Sequence, residues 1–147
     1  MKENLLISAC LLGICCRYDG RSVPCDRALA LSERYNLIPI CPEIYGGLPT
    51  PRTPSERVGN KVLMRDMTDV TENYQRGAIA SYEIAKINGC KVAVLKEKSP
   101  SCGKGKIYDG SFSGTLTEGN GVAAEYLTSH GILVLGESEI DKLLVEK

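Results

Sequence analysis

Apolar residues gather into short unbroken runs, and the stretches between them carry helical spacing. The runs are Leu5-Leu6-Ile7, Leu37-Ile38-Pro39-Ile40, Val92-Ala93-Val94-Leu95 and Ile132-Leu133-Val134-Leu135, and none alternates with a period of two. Such runs are strands covered on both faces, as in a parallel sheet packed between helices. Pro39 weakens the second, because it lacks a ladder donor. Lys61-Val62-Leu63-Met64 fits either a minor edge strand or an irregular turn. Ser22 is placed to cap a helix over residues 23–35, with Pro24 in its first turn. Asp69, with Glu72 three positions on, opens a helix that runs to about Asn88 and stops at Gly89. Val70, Tyr74, Ala78, Tyr82 and Ala85 share one face of it. Asn120 can cap a helix over 121–130 that Gly131 ends, and Ser138 can cap a last helix to the C-terminus. The alternation predicts one three-layer α/β domain over residues 1–147, with a central, mainly parallel, Rossmann-like sheet of four or five strands.

Two stretches carry neither pattern. Residues 41–60 and 97–120 are rich in Pro and Gly, begin just after predicted strands, and exceed the usual βα connection. Loops of that length are commonly functional. Composition narrows what the function is. The chain has 147 residues, 43% hydrophobic and 24% charged, an ordinary globular mix. Eighteen basic residues balance eighteen acidic ones, which argues against a broad surface for a nucleic-acid polymer or an anionic membrane. Seven Tyr, one Phe and no Trp give few platforms for single-stranded nucleic acid. No run reaches the length of a membrane span, and Met1-Lys2-Glu3 leads straight into the first strand without the charged region of a signal peptide. The expected setting is a reducing cytoplasm, where clustered cysteines serve metal or catalysis more often than bridges.

Cysteine is the unusual residue: Cys10, Cys15, Cys16, Cys25, Cys41, Cys90 and Cys102. Ligands of an open parallel sheet sit outside the carboxyl ends of its strands. Cys10 follows the first predicted strand, Cys41 the second, and Cys102 lies in the loop leaving the third. Three crossovers thus carry a thiol to one edge. Cys90 begins the third strand at the opposite edge, and Cys25 falls in the first predicted helix; both read as small buried hydrophobes. Cys15 and Cys16 follow Cys10 closely, and either can reach the same site. No C-x₂-C pair is present, so neither the paired zinc spacing nor a thioredoxin-type motif applies, and ferredoxin runs are missing. A dispersed metal or cluster site, a thiol nucleophile and purely structural cysteines all stay open on spacing alone. Three thiolates on a four-iron cluster would leave one iron with an open position. Polar residues accompany the thiols: Glu43 in Cys41-Pro42-Glu43, Ser99 in Ser99-Pro100-Ser101-Cys102-Gly103, and Arg52 in a stiff Pro-rich loop. His130, the only histidine, falls at a predicted helix C-terminus, where a dipole contact is its expected role. Acid–base work then falls to a carboxylate such as Glu43.

Four motifs stand in order: Ser8-Ala9-Cys10-Leu11-Leu12-Gly13; Cys16-Arg17-Tyr18-Asp19-Gly20; Cys41-Pro42-Glu43 with Gly46-Gly47-Leu48-Pro49-Thr50-Pro51-Arg52; and Lys96 through Ser99-Pro100-Ser101-Cys102-Gly103. Together they resemble, over essentially the whole chain, the bacterial family catalogued as domain of unknown function 523, which includes thiouracil desulfidases. The resemblance implies a [4Fe–4S] cluster held by Cys10, Cys41 and Cys102, with Cys16 a reserve ligand. It makes Glu43 the acid–base carboxylate and Ser99 the active-site serine, and implies non-redox removal of sulfur from a small thiolated base whose sulfur binds the open iron. Two other readings are a non-enzymatic cluster protein, such as a redox sensor or sulfur carrier, and a plain α/β small-molecule binding module.

Overall fold

The computed structural model describes residues 2–144. In chain order the elements are β1 (Glu3–Ser8), α1 (Asp26–Ala30), β2 (Tyr35–Ile40), α2 (Pro42–Tyr45), β3 (Ser55–Val58), β4 (Lys61–Met64), α3 (Thr71–Ile87), β5 (Val92–Leu95), β6 (Lys106–Tyr108), β7 (Leu116–Glu118), α4 (Val122–Ser129), β8 (Leu133–Gly136) and α5 (Asp141–Leu144). The four apolar runs form one parallel sheet in the order β2-β1-β5-β8, with Leu6 opposite Ile38 on one side and Ala93 on the other. β1 is central, and Leu5, Leu6 and Ile7 are fully buried. Each such side chain contributes roughly 1.5–3 kcal/mol of burial. β2 is an edge strand, and Pro39 within it is exposed, which is where a sheet tolerates a residue without an N–H.

Both sheet faces are covered, as the run pattern predicts. Leu6, Ala93 and Leu95 pack with Ala85 of α3 and with Ala124 and Leu127 of α4. Leu5, Ile7 and Val94 pack with Ala28 and Leu31, and with Ile140 and Leu143 of the C-terminal segment. The predicted three-layer α/β class holds, with a four-stranded, wholly parallel sheet. β3 and β4 pair as a separate antiparallel hairpin, so Lys61–Met64 is a strand but no edge of the main sheet. β6 and β7 form a second hairpin inside the 97–120 stretch.

Three helix expectations change. The helix predicted over 23–35 begins only at Asp26, with Cys25 as its N-cap residue, and passes into a 3₁₀ turn over Leu31–Glu33. The N–H groups of Val23 and Cys25 donate instead to the carbonyls of Cys10 and Leu11, binding this segment to the turn after β1. Asn120 does not cap α4: its side-chain oxygen accepts the Gly105 N–H. The first N–H groups of α4 go to the carbonyls of Pro100 and Ser101. Ser138 lies within a 3₁₀ turn and donates to Glu97 rather than capping a helix. α5 is short, and the end of the predicted last helix lies outside the described residues. α3 spans its predicted range and stops before Gly89, at φ 63°, as expected; at its start the N-cap residue is Val70 rather than Asp69, whose carboxylate accepts the Thr71 N–H at 2.9 Å from one position earlier.

Candidate active site

The strand order turns back on itself between β1 and β5. A crevice at the carboxyl ends flanking such a switch point is where open α/β sheets take ligands. A cavity of about 340 Å³ opens there, and Cys10, Cys16, Cys41 and Cys102 all line it. Cys10 sits in the 3₁₀ turn Ala9–Leu12 directly after β1, which Gly13 closes at φ 95°. Cys41 is the N-cap residue of α2, and its thiol donates to the Cys16 carbonyl at 3.7 Å. Cys102 is held by the α4 N-terminus, whose N–H groups grip the carbonyls of Pro100 and Ser101 beside it.

These thiols feel one another. Cys16 is within hydrogen-bonding reach of both Cys10 and Cys41; the Cys10 contact does most to push its thiol up to about 11. Cys41 is raised further, by Cys16 first and burial second. Burial pushes Cys102 up to about 12, against the opposing donors Ser8 and Ser101. A thiol that ligates a metal gives up its proton on binding.

A polar chain runs along the cavity wall. Arg52, its side chain 3% exposed, donates from Nε to Glu43 Oε1 at 2.9 Å and from Nη2 to the Cys16 carbonyl at 2.9 Å. Ser101 Oγ donates to Glu43 Oε2 at 2.8 Å. Ser99 Oγ accepts two backbone N–H groups, those of Ser101 and Cys102, both at 3.1 Å. Its own proton is thus left for Ser101 Oγ, 2.9 Å away. The donors run in one direction, Ser99 to Ser101 to Glu43. The Tyr74 phenol of α3 lies against Glu43 and Ser55, and burial, with the Glu43 charge second, raises it well above its ordinary value.

Of the residues singled out in the sequence, Cys10, Cys16, Cys41, Cys102, Glu43, Ser99 and Arg52 all line this cavity. Cys15 is exposed outside it. Cys90 is buried among Leu6, Ala85 and Ile132 at the other edge, and Cys25 packs against the opposite face of the sheet. His130 is exposed and its Nδ1 meets the Tyr126 carbonyl at 2.8 Å. Ser8, Tyr74, Ser101, Glu56, Arg65 and Phe112 also line the cavity and were not anticipated. Ser8 and Ser101 stand inside quoted motifs, which is the signal that could have found them. The other four come from separate elements and gave none.

Residues 5–139 match the family described as 2-thiouracil desulfurase. The chain belongs to that family. This 2-thiouracil desulfurase family member is 38% identical over 150 residues to the Bacillus subtilis (strain 168) protein named "Uncharacterized protein YbbK", covering 95% of this chain and 99% of that one. A solved structure named as a [4Fe-4S]-dependent thiouracil desulfidase, TudS, superposes with a TM-score of 0.91 at 42% identity, over 97% of this chain and 96% of that one. The resemblance carried by the four motifs and the α/β class expected from the apolar runs both hold.

Proposed function

We propose that this 2-thiouracil desulfurase family member is a [4Fe–4S]-dependent desulfidase that hydrolyses a small thiolated base of the thiouracil type without net redox. The observation that carries this reading is the meeting of thiols from separate crossovers with an oriented carboxylate in one cavity. The donor set suits the group. Among the described residues no three His, Cys, Asp or Glu side chains close around a single ion. Soft sulfur donors select iron–sulfur clusters, and several thiols meet in this one cavity. Cys10, Cys41 and Cys102 would hold it, with Cys16 the reserve ligand.

When bound, such a cluster supplies a soft Lewis acid that draws charge from a carbon–sulfur bond. The reaction replaces C=S by C=O: water adds to the carbon and the sulfur departs as hydrogen sulfide, so no electrons are exchanged. Glu43 takes the proton of the attacking water and returns it to the ring nitrogen or the leaving sulfur. Arg52 fixes one oxygen of that carboxylate and Ser101 the other. Ser99, at the head of the donor chain, orients the carboxylate through Ser101.

Anaerobic reconstitution followed by an iron and sulfide count, then sulfide release from 2-thiouracil, tests the reading. Four irons per chain with stoichiometric uracil and sulfide are expected, by the formula of the cluster. Replacing any one of Cys10, Cys41 or Cys102 by Ala is expected to remove the cluster and the activity together. A cluster without sulfide release would favour a sensor or carrier, and no iron after reconstitution would defeat both.

A further inference from the structure

We infer that Phe112 is the platform on which the flat ring of the substrate lies, so that the loop over residues 109–114 selects planar heterocyclic thioamides over open-chain ones; the inference rests on the desulfidase reading above. Phe112 is the only phenylalanine in the chain. It lines the cavity from the turn that joins β6 to β7, and belongs to none of the hydrophobic clusters among the described residues. Core packing therefore does not account for it. Its backbone sits at φ 56°, the left-handed region that bulky L-residues avoid. Such a conformation persists only where the surroundings over-determine it, and it concentrates at ligand sites.

The surroundings do over-determine it. Glu56 of β3, 9% exposed, accepts the N–H groups of Gly110 at 2.9 Å and Phe112 at 3.1 Å on one carboxylate oxygen. Asp109 accepts the Ser111 N–H at 2.9 Å, and the Asp109 N–H closes the turn on the Thr115 carbonyl at 3.0 Å. The Arg65 guanidinium lies 5.6 Å from the ring centroid, and Arg65 also lines the cavity. A buried carboxylate and a stacked cation thus hold one half-buried aromatic ring, outside the core, at the wall of the site. A rigid flat apolar face in a polar cavity recognises a planar π-system by stacking.

The test uses anaerobic holoenzyme with Phe112 replaced by Ala, Leu or Trp, two substrates, and uracil as a non-reacting probe. For F112A the KM for 2-thiouracil is expected to rise about tenfold or more, the scale of one lost base–aromatic stack, with kcat little changed. Uracil binding followed by saturation-transfer NMR should weaken in parallel, while kcat/KM for thioacetamide and the cluster absorbance stay at wild-type values. F112L keeps volume without a π-face and should behave like F112A even where F112A folds poorly; F112W should bind as wild type does. Unchanged KM and uracil binding in F112A and F112L, or equal losses for 2-thiouracil and thioacetamide, would overturn the inference. If wild-type enzyme released no sulfide, the function would fail, and the uracil arm alone would still decide the role of Phe112.

Discussion

The Glu43 carboxylate is fixed by its neighbours. It occupies the first turn of a four-residue helix, where a carboxylate could swing freely, yet Arg52 and Ser101 hold both of its oxygens. On the proposed mechanism Glu43→Gln keeps the shape, removes the base and leaves the thiols untouched. It is expected to retain the cluster spectrum and lose about 10²–10⁴-fold in sulfide release, the usual worth of general acid–base catalysis. Wild-type turnover in that variant, at full iron content, would remove Glu43 from the mechanism. Cys25→Ala and Cys90→Ala should cost about 1 kcal/mol of stability in urea titrations and leave iron content alone. Motif reading found Glu43 and Ser99 because their spacing from cysteine is visible in the chain. It did not separate Ser99 from Ser101, which look alike in Ser99-Pro100-Ser101; only the two N–H groups donated to Ser99 reveal which serine gives its proton to which.

At the scale of elements, two glycines set how closely the helix carrying Glu43 approaches α3. A Cβ on Gly77 would stand 1.9 Å from the Pro42 carbonyl oxygen, and one on Gly46 would stand 2.0 Å from that of Asn73. Alanine at 77 gains about 1 kcal/mol of helix propensity and cannot relieve a clash with backbone. Gly77→Ala is expected to cost roughly 1–3 kcal/mol of stability, as overpacking does. Because Cys41 and Glu43 move with α2, it should also lower iron retention and turnover; a urea midpoint and iron content equal to wild type would contradict the close approach. The apolar runs were legible as strands because both faces of a parallel sheet are buried. The helix expected over 23–35 forms only from Asp26, because residues 23–25 are extended chain bonded through the Val23 and Cys25 N–H groups to the carbonyls of Cys10 and Leu11. Local capping signals do not register such long-range demands.

For the molecule as a whole, the sheet edge carrying the site is braced by charges outside it. Glu139 accepts the Gly136 N–H and is flanked by Lys142 and Lys104, which together hold its carboxyl down at about 2 against an ordinary value of 4.5. A depressed carboxylate stabilises the fold fully above its unfolded value, and that contribution is lost as pH falls through the folded one. Glu139→Gln should therefore lower stability at neutral pH and flatten the acid limb between those two values, read from urea midpoints against pH. An unaltered acid limb would mean the contacts contribute nothing net. Among the described residues no helix is long and apolar enough to cross a membrane.

The dispersal of Cys10, Cys41 and Cys102 over more than half the chain has a consequence for how the protein is made. Metal domains with ligands close in sequence fold around their metal and are unfolded without it. Here the thiols are brought together by the pairing of β1, β2 and β5 and by the grip of α4 on the loop of Cys102, all through backbone hydrogen bonds. Folding is therefore expected to come first and loading second. The metal-free chain should show the circular dichroism of the loaded enzyme, and loading should raise the unfolding midpoint without creating the fold, as expected of a ligand that binds the native state alone. A metal-free chain with the spectrum of a random coil would reverse that order. With folding first, a cluster would enter a finished protein through its open cavity, not a nascent chain.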